Sequence, residues 1–314
     1  MSDTALPLNS NVRVALVTGA TGYIGSNLVK RLVLEGWVVH IIVRTKSNLD
    51  VLNPLASSII QHMHDGSTKG MIDLVAQAKP NTVFHLASLF LVQHKPEDIE
   101  ALITSNLLFS TQLVEAMIAN GVKSLVNTGT SWQHYHNEDY NPVNLYAATK
   151  QAFEDILSYY VEAQGLKVIT LKLFDTYGPN DTRAKLINLF WKAAHSQEVL
   201  HMSPGEQVID IVYIDDVVAA FILAAEQLCL QTQGQKIFGI SSGHTLRLMD
   251  IKDKFELITG YKLKINWGGR PYREREVMLT WNKFEKLPGW CPTISLEEGL
   301  IRSLPKDLKI TDAR

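Results

Sequence analysis

Three glycines constrain this chain more than any other feature. In the run "VRVALVTGATGYIGSNLVKRLVLEG", Gly19, Gly22 and Gly25 stand three residues apart. They follow a β-branched apolar stretch and lead into a helical stripe of Ile24, Leu28, Leu32 and Val33 that stops at Gly36. A strand that turns directly into a helix needs small residues at the turn. Glycines there also let a pyrophosphate approach the free N–H groups of the helix N-terminus.

Strands and helices then alternate. "VVHIIV" (38–43), "SSIIQHM" (57–63), "NTVFHLA" (81–87), "SLVNTG" and "LKVITLKLF" (166–174) read as strands, with helices over about 68–78, 97–119 and 146–163. Near-continuous apolar strands joined by helices predict an α/β fold with a Rossmann-type doubly wound parallel sheet. After residue 174 the pattern loosens. "YGPND" is a turn, and "FGISSGHTLRL" and "KLKINW" read as short strands around a helix near 248–259. This predicts a smaller mixed α/β C-terminal substrate lobe. The expected division is a dinucleotide-binding domain over 11–178, with 209–240 returning to it, and a lobe made of 179–208 and 241–314.

The 314 residues are 46% hydrophobic and 20% charged with a net charge of −2, so no electrostatic case exists for nucleic acid or anionic lipid. "MSDTALPLNSNV" carries Asp3 and no apolar core, and "VVAAFILAA" (217–225) is too short to cross a bilayer. The expectation is a cytoplasmic protein with no membrane partner. Cys229 and Cys291 read as two buried thiols in a reducing compartment. His134, His136, His195 and His201 lack metal-ligand spacing, so no metal is expected; the first two read as a satisfied surface loop, with a place in the wall of the substrate pocket as the alternative.

Tyr146 and Lys150 lie one turn apart and share a helix face. A phenol has a pKa of roughly 10 and exchanges protons poorly at neutral pH, and an adjacent ammonium is expected to lower it. This pair, the glycine spacing, and the stretches "VFHLAS", "SNLLFSTQLVEAM", "YAATK", "LFDTYGP" and "GWCPTISLEEGL" resemble the extended short-chain dehydrogenase/reductase family over nearly the whole chain. The wording around "NTGTSWQHY" and "VNLYAATKQAFEDIL" looks most like its nucleotide-sugar 4-ketoreductases.

The resemblance implies Tyr146 as proton donor, Lys150 as holder of the nicotinamide ribose, and Thr130 as the hydroxyl bonded to the same carbonyl oxygen, with Ser131 in reserve. It implies cofactor contacts from Gly19, Thr21, Gly22, Tyr23, Ile24 and Gly25 in the turn, and from Asp65 and Gly66 at the adenine. Leu86, Ala87, Ser88, Asn106, Thr128, Phe174 and Thr176, with Tyr146 and Lys150 themselves, complete that set. The second strand ends in Val43–Arg44 where a carboxylate would hold the ribose of NAD. Arg44, helped by Lys46 or Ser47, suits a 2′-phosphate, so NADP(H) is expected over NAD(H).

Leu89, Ser131, Trp132, Gln133 and Asp175 are expected to shape the sugar site. Ile209 stands where relatives carry a phosphate-binding Arg, leaving Lys185, Arg183, Arg273 and above all Arg270 to replace it. Asp175 beside a phosphate needs a compensating cation, and otherwise faces a sugar hydroxyl. The Asp–Glu pair of the family's dehydratases is absent after Thr130, and Trp132 replaces the Cys of its double epimerases. The expected activity is NADPH-dependent reduction of the 4-keto group of a nucleoside-diphosphate-linked 6-deoxy or 3,6-dideoxy hexose. The alternatives are an NAD-dependent 4-epimerase and a non-catalytic dinucleotide sensor. A homodimer is implied through a four-helix bundle of the helices near 101–119 and 146–163. The stripe Phe153, Leu157, Tyr160 and Val161 fits either that bundle or the core.

Overall fold

The computed structural model describes residues 12–230, 234–305 and 308; the expectations for the N-terminal segment and for the chain end lie outside them. Seven strands form one sheet: β1 (Val14–Thr18), β2 (Val38–Val43), β3 (Ile59–Met63), β4 (Thr82–His85), β5 (Ser124–Thr130), β6 (Lys167–Leu173) and β10 (Gly234–Ile240). Their order is β10-β6-β5-β4-β1-β2-β3 and every pairing is parallel. The order reverses between β1 and β4, so the loops leaving those strands diverge and open a crevice at their carboxyl ends. The doubly wound parallel sheet expected from the sequence is therefore present.

Both faces are covered. Helices α1 (Tyr23–Leu34) and α7 (Ile214–Leu230) bury Leu28, Leu32, Val217 and Phe221 on one side. On the other, α2 (Thr68–Ala78), α4 (Phe109–Ala119) and α5 (Leu145–Gln164) bury Met71, Leu113, Met117, Phe153 and Leu157. Each such side chain contributes about 1.5–3 kcal/mol by leaving water. Phe153, Leu157, Tyr160 and Val161 thus belong to the core.

The helix before β5 is interrupted. α3 (Ile99–Ile103) passes through a π-turn, Thr104–Leu108, into α4. The stretch Pro96–Ala119 is long and apolar enough to cross a bilayer by length and composition, which the sequence reading did not weigh. Here Leu102, Leu113, Val114, Ala116 and Met117 pack inside the molecule.

The remaining strands form two small sheets. β7 (Asp175–Tyr177), β9 (Val208–Tyr213) and β11 (Thr245–Arg247) make one, and β8 (Leu200–Met202) pairs with β12 (Ile265–Trp267) in the other. Of helices α6 (Leu186–Ser196), α8 (Leu248–Thr259) and α9 (Leu296–Arg302), α8 packs on β11 and α9, and Phe190 and Trp191 of α6 meet Phe255 of α8. "FGISSGHTLRL" is not one strand: Phe238–Ile240 ends β10 in the main sheet, and Thr245–Arg247 pairs antiparallel with β9. The expected buried thiols are also corrected, since Cys229 and Cys291 are both exposed.

Candidate active site

The glycine turn forms the floor of the crevice. Gly19 adopts φ +70° and abuts the β4 loop so closely that a Cβ would lie 2.6 Å from the Ala87 nitrogen. A Cβ on Gly25 would strike the Gly19 carbonyl. Gly22 caps α1, with no side-chain cap bond and no acidic residue in the first turn. The N–H groups and positive end of the helix are therefore free for an anion, and the backbone around them leaves room for one. This cradle fits a dinucleotide pyrophosphate.

Tyr146 and Lys150 are set by the start of α5. Asn144 caps that helix by accepting from the Ala147 N–H (2.9 Å), and its amide donates to the carbonyls of Leu91 (3.0 Å) and Val92 (2.9 Å). The first turn of α5 is thus tied to the loop leaving β4. The π-turn adds a second tie. It buries Asn106, whose Oδ1 accepts from the Leu89 N–H (2.7 Å) and the Ser88 hydroxyl (3.1 Å), while its amide donates to Leu89 O and Thr149 Oγ1.

These ties close a cavity of about 450 Å³ at the strand ends. Of the expected cofactor residues, Gly19, Gly22, Tyr23, Ile24 and Gly25 line it, as do Leu86, Ser88, Thr128, Phe174 and Thr176. The expected reacting residues Thr130, Tyr146 and Lys150 open on the same space, together with Ser131, Trp132, Asp175 and Lys185. Phe90, Val92, Gly129, Leu173, Arg183 and Ala184 complete the wall. Arg183 is among the cations the sequence offers. Phe90 is not legible there, because one aromatic within "SLFLV" carries no spacing signal.

Other expected residues lie elsewhere. Thr21, Arg44, Asp65, Gly66, Ala87 and Leu89 do not line the cavity. Arg44 and Asp65 are exposed just past the ends of β2 and β3. Asp65 accepts from the N–H and hydroxyl of Ser67 (both 2.8 Å), which hold its carboxyl below the usual range. Asn106 and Gln133 are fully engaged inside the protein and position loops instead of facing the cavity. Arg270 lies beside β8, where its backbone N–H donates to Met202 O (3.1 Å), and lines neither this cavity nor the one beside it. Arg273, three residues further on, does reach a cavity wall.

A second cavity of about 190 Å³ adjoins the first and shares Ser131, Trp132, Phe174 and Asp175 with it. Arg273 lines this chamber, its guanidinium 5.3 Å from the Trp132 ring centre and paired with Glu276 (Nε–Oε2 3.0 Å). A cation does stand beside Asp175: Lys185, at 2.7 Å. Burial pushes the Asp175 carboxyl up, but Lys185, Arg183 and Arg273 outweigh it and hold the group below its ordinary range.

The electrostatics of the reacting pair differ from the sequence expectation. Burial raises the Tyr146 phenol above its ordinary value, opposed by the neighbouring Ser88 hydroxyl. Burial also lowers Lys150 to about 8, opposed by Glu154. Desolvation penalises both charged forms and overrides the attraction assumed between ammonium and phenolate. Thr130 Oγ1 accepts from the Trp132 N–H (3.3 Å), which leaves its own proton for a ligand.

The surface-loop reading of His134 is likewise overturned. Its ring is buried, stacks on Trp281 at 3.9 Å, and bonds Lys172 Nζ through Nε2 (2.9 Å) and Glu138 O through Nδ1 (3.0 Å). An ammonium only donates, so Nε2 is the acceptor and Nδ1 carries the proton.

The model of the NAD dependent epimerase/dehydratase family matches residues 15–238. The chain is 27% identical over 303 residues to CDP-abequose synthase of Salmonella muenchen, covering 92% of this chain and 96% of that one. Among solved structures, UDP-glucose 4-epimerase of Thermotoga maritima with UDP-glucose superposes with a TM-score of 0.82 at 27% identity, over 92% of this chain and 97% of that one. MoeE5 in complex with UDP-glucose and NAD superposes with a TM-score of 0.80 at 25% identity, over 93% and 97%.

Proposed function

We propose, starting from the fact that this chain belongs to the NAD dependent epimerase/dehydratase family, that it reduces the 4-keto group of a nucleoside-diphosphate-linked 6-deoxy or 3,6-dideoxy hexose with NADPH. The observation that carries the proposal is convergence: the glycine turn, the Thr130 hydroxyl, the Tyr146 phenol and Lys150 all open on one cavity. Reduced nicotinamide, when bound, supplies the hydride. Tyr146 delivers the proton to the carbonyl oxygen. A phenol whose pKa is raised stays protonated at neutral pH, the form that a donor needs. Thr130 donates its spare proton to the same oxygen, and Lys150 holds ribose hydroxyls.

The walls favour a deoxygenated sugar. Phe90 lies 5.0 Å from the Tyr146 ring and 5.6 Å from Trp132, an apolar surface on which a sugar hydroxyl would lose its hydrogen bonds. Likeness to CDP-abequose synthase points the same way. The diphosphate falls to Lys185, Arg183 and Arg273 around the junction of the two cavities. Part of the same reading are the two-part domain division, a cytoplasmic location and a homodimer, to which Ile103, Leu108 and Tyr159 present exposed apolar side chains.

Likeness to UDP-glucose 4-epimerase favours a second reading, redox-neutral epimerisation with NAD, because the same residues serve both. Arg44 separates them. It is exposed in a turn where its backbone N–H donates to Ser47 Oγ (3.0 Å), and no carboxylate occupies the ribose position. A charge-assisted bond to a 2′-phosphate contributes about 1.5–3 kcal/mol. Arg44→Ala should therefore lower kcat/KM for NADPH by about tenfold or more and leave that for NADH nearly unchanged. Steady-state kinetics with both cofactors checks this, and an unaltered NADPH preference in the variant refutes Arg44 as the reader.

A further inference from the structure

Beneath the cavity lies a cluster of buried polar side chains that the proton transfer above does not use. Glu154 is 3% exposed, Lys172 3% and Gln133 0%. One Glu154 oxygen lies 3.3 Å from Lys172 Nζ, and the other accepts from the Gln133 amide (3.0 Å). Gln133 also donates to Gln151 (2.9 Å) and accepts from the backbone N–H of Thr130 (3.0 Å). Gly129 leaves the space for this arrangement, since a Cβ there would come within 2.9 Å of both Glu154 and Lys172. Glu154 follows Lys150 by one helical turn and shares its face.

We propose that Glu154 is a positioning residue for the reaction centre: through Gln133 it fixes the loop bearing Thr130 to the helix bearing Tyr146 and Lys150, and its carboxylate is the counter-charge of the Lys150 ammonium. The inference rests on reading Tyr146 and Lys150 as the reacting pair. Other titratable neighbours do not supply that charge. His85, from β4, is held neutral by burial, its pKa pushed down to about 3, and Lys150 works in the same direction. His134, from the loop after β5, is pushed down to about 4 by burial and by Lys172. Tyr146 on the same helix is a neutral phenol at pH 7, and Lys172 from β6 is a second cation sharing Glu154. Burial pushes the Glu154 carboxyl up, while Lys172, Gln133 and Lys150 all favour its ionised form. Buried ion pairs often add little to stability, so a stabilising role alone does not account for this one.

The test is a titration of the purified protein labelled with 13Cε-lysine, with the Lys150 resonance identified by its loss in Lys150→Arg. In Glu154→Gln the Lys150 titration should move to lower pH by about one unit or more, as loss of an opposite charge within a turn requires. The alkaline limb of the kcat/KM profile should move with it. Leaving Lys172 unpaired could unfold that variant, so Glu154→Gln/Lys172→Met removes both charges, and a smaller shift in the same direction is expected there, since a neighbouring cation is lost with the anion. An unmoved Lys150 titration in a folded variant, or a lower Tm without the shift, overturns the inference and leaves a structural pair. Undiminished turnover in Tyr146→Phe would instead overturn the reading of the reacting pair, whatever the titration shows.

Discussion

Tyr146→Phe should lower kcat by about 10²–10⁴-fold, the usual contribution of a positioned general acid. The substitution removes one oxygen from a side chain that is 9% exposed and packed edge-on against Phe90 at 5.0 Å. The ring and its packing stay, so the fold and the glycine turn should be untouched. Dinucleotide affinity should change by less than about threefold, because the ring of residue 146 does not build the pyrophosphate cradle. Single-turnover kinetics and a fluorescence titration with NADPH separate the two effects. Turnover retained at the wild-type level would remove the proton-donor role. An equal fall in affinity would move Tyr146 from chemistry to binding.

Gly25→Ala should be nearly as damaging by a different route. The added Cβ would fall against the Gly19 carbonyl and close to Ala20 Cα at 3.0 Å, all of it backbone and unable to swing aside. Helix α1 must then back away from the turn, which takes its N–H groups off the pyrophosphate position. Overpacking of this kind costs about 1–3 kcal/mol. The expected outcome is a lower Tm and a dinucleotide affinity reduced about tenfold to a hundredfold. Gly22→Ala is the control for stability. Its Cβ would have the Gly19 oxygen at 3.2 Å as its nearest neighbour and it sits at negative φ, so its Tm should fall less. Calorimetry on both variants checks the order, and equal losses would contradict the close contact at Gly25.

The parallel sheet was legible in the sequence because its strands are buried on both faces and read as continuous apolar runs. The glycine turn was legible because a strand cannot pass into a helix so sharply with larger residues. Tyr146 and Lys150 carried their own periodic signal. What was hidden depends on contacts far apart in sequence. Phe90 joins the site through a loop tied to Asn144 and Asn106, and no local pattern reports those hydrogen bonds. His134 looked like a loop residue because its partners, Lys172 and Trp281, lie 38 and 147 positions away. Resemblance favoured Arg270 over Arg273, but a charge three residues away fits the same pattern, and it is Arg273 that lines a cavity. The protonation of Tyr146 was misjudged for a further reason. Desolvation depends on burial, which a residue pair on one helix face does not reveal.

The central claim is net proton and hydride delivery to a sugar ketone, and stoichiometry tests it most directly. The purified protein would be incubated with NADPH and, in turn, with CDP-, dTDP- and GDP-linked 4-keto-6-deoxyhexoses, while absorbance of the reduced cofactor and the sugar product are followed together. The account predicts one NADPH oxidised per 4-hydroxy sugar formed with at least one of these substrates, and no such reaction in Tyr146→Phe. Interconversion of 4-epimers of a nucleotide sugar with no consumption of NADPH would contradict it.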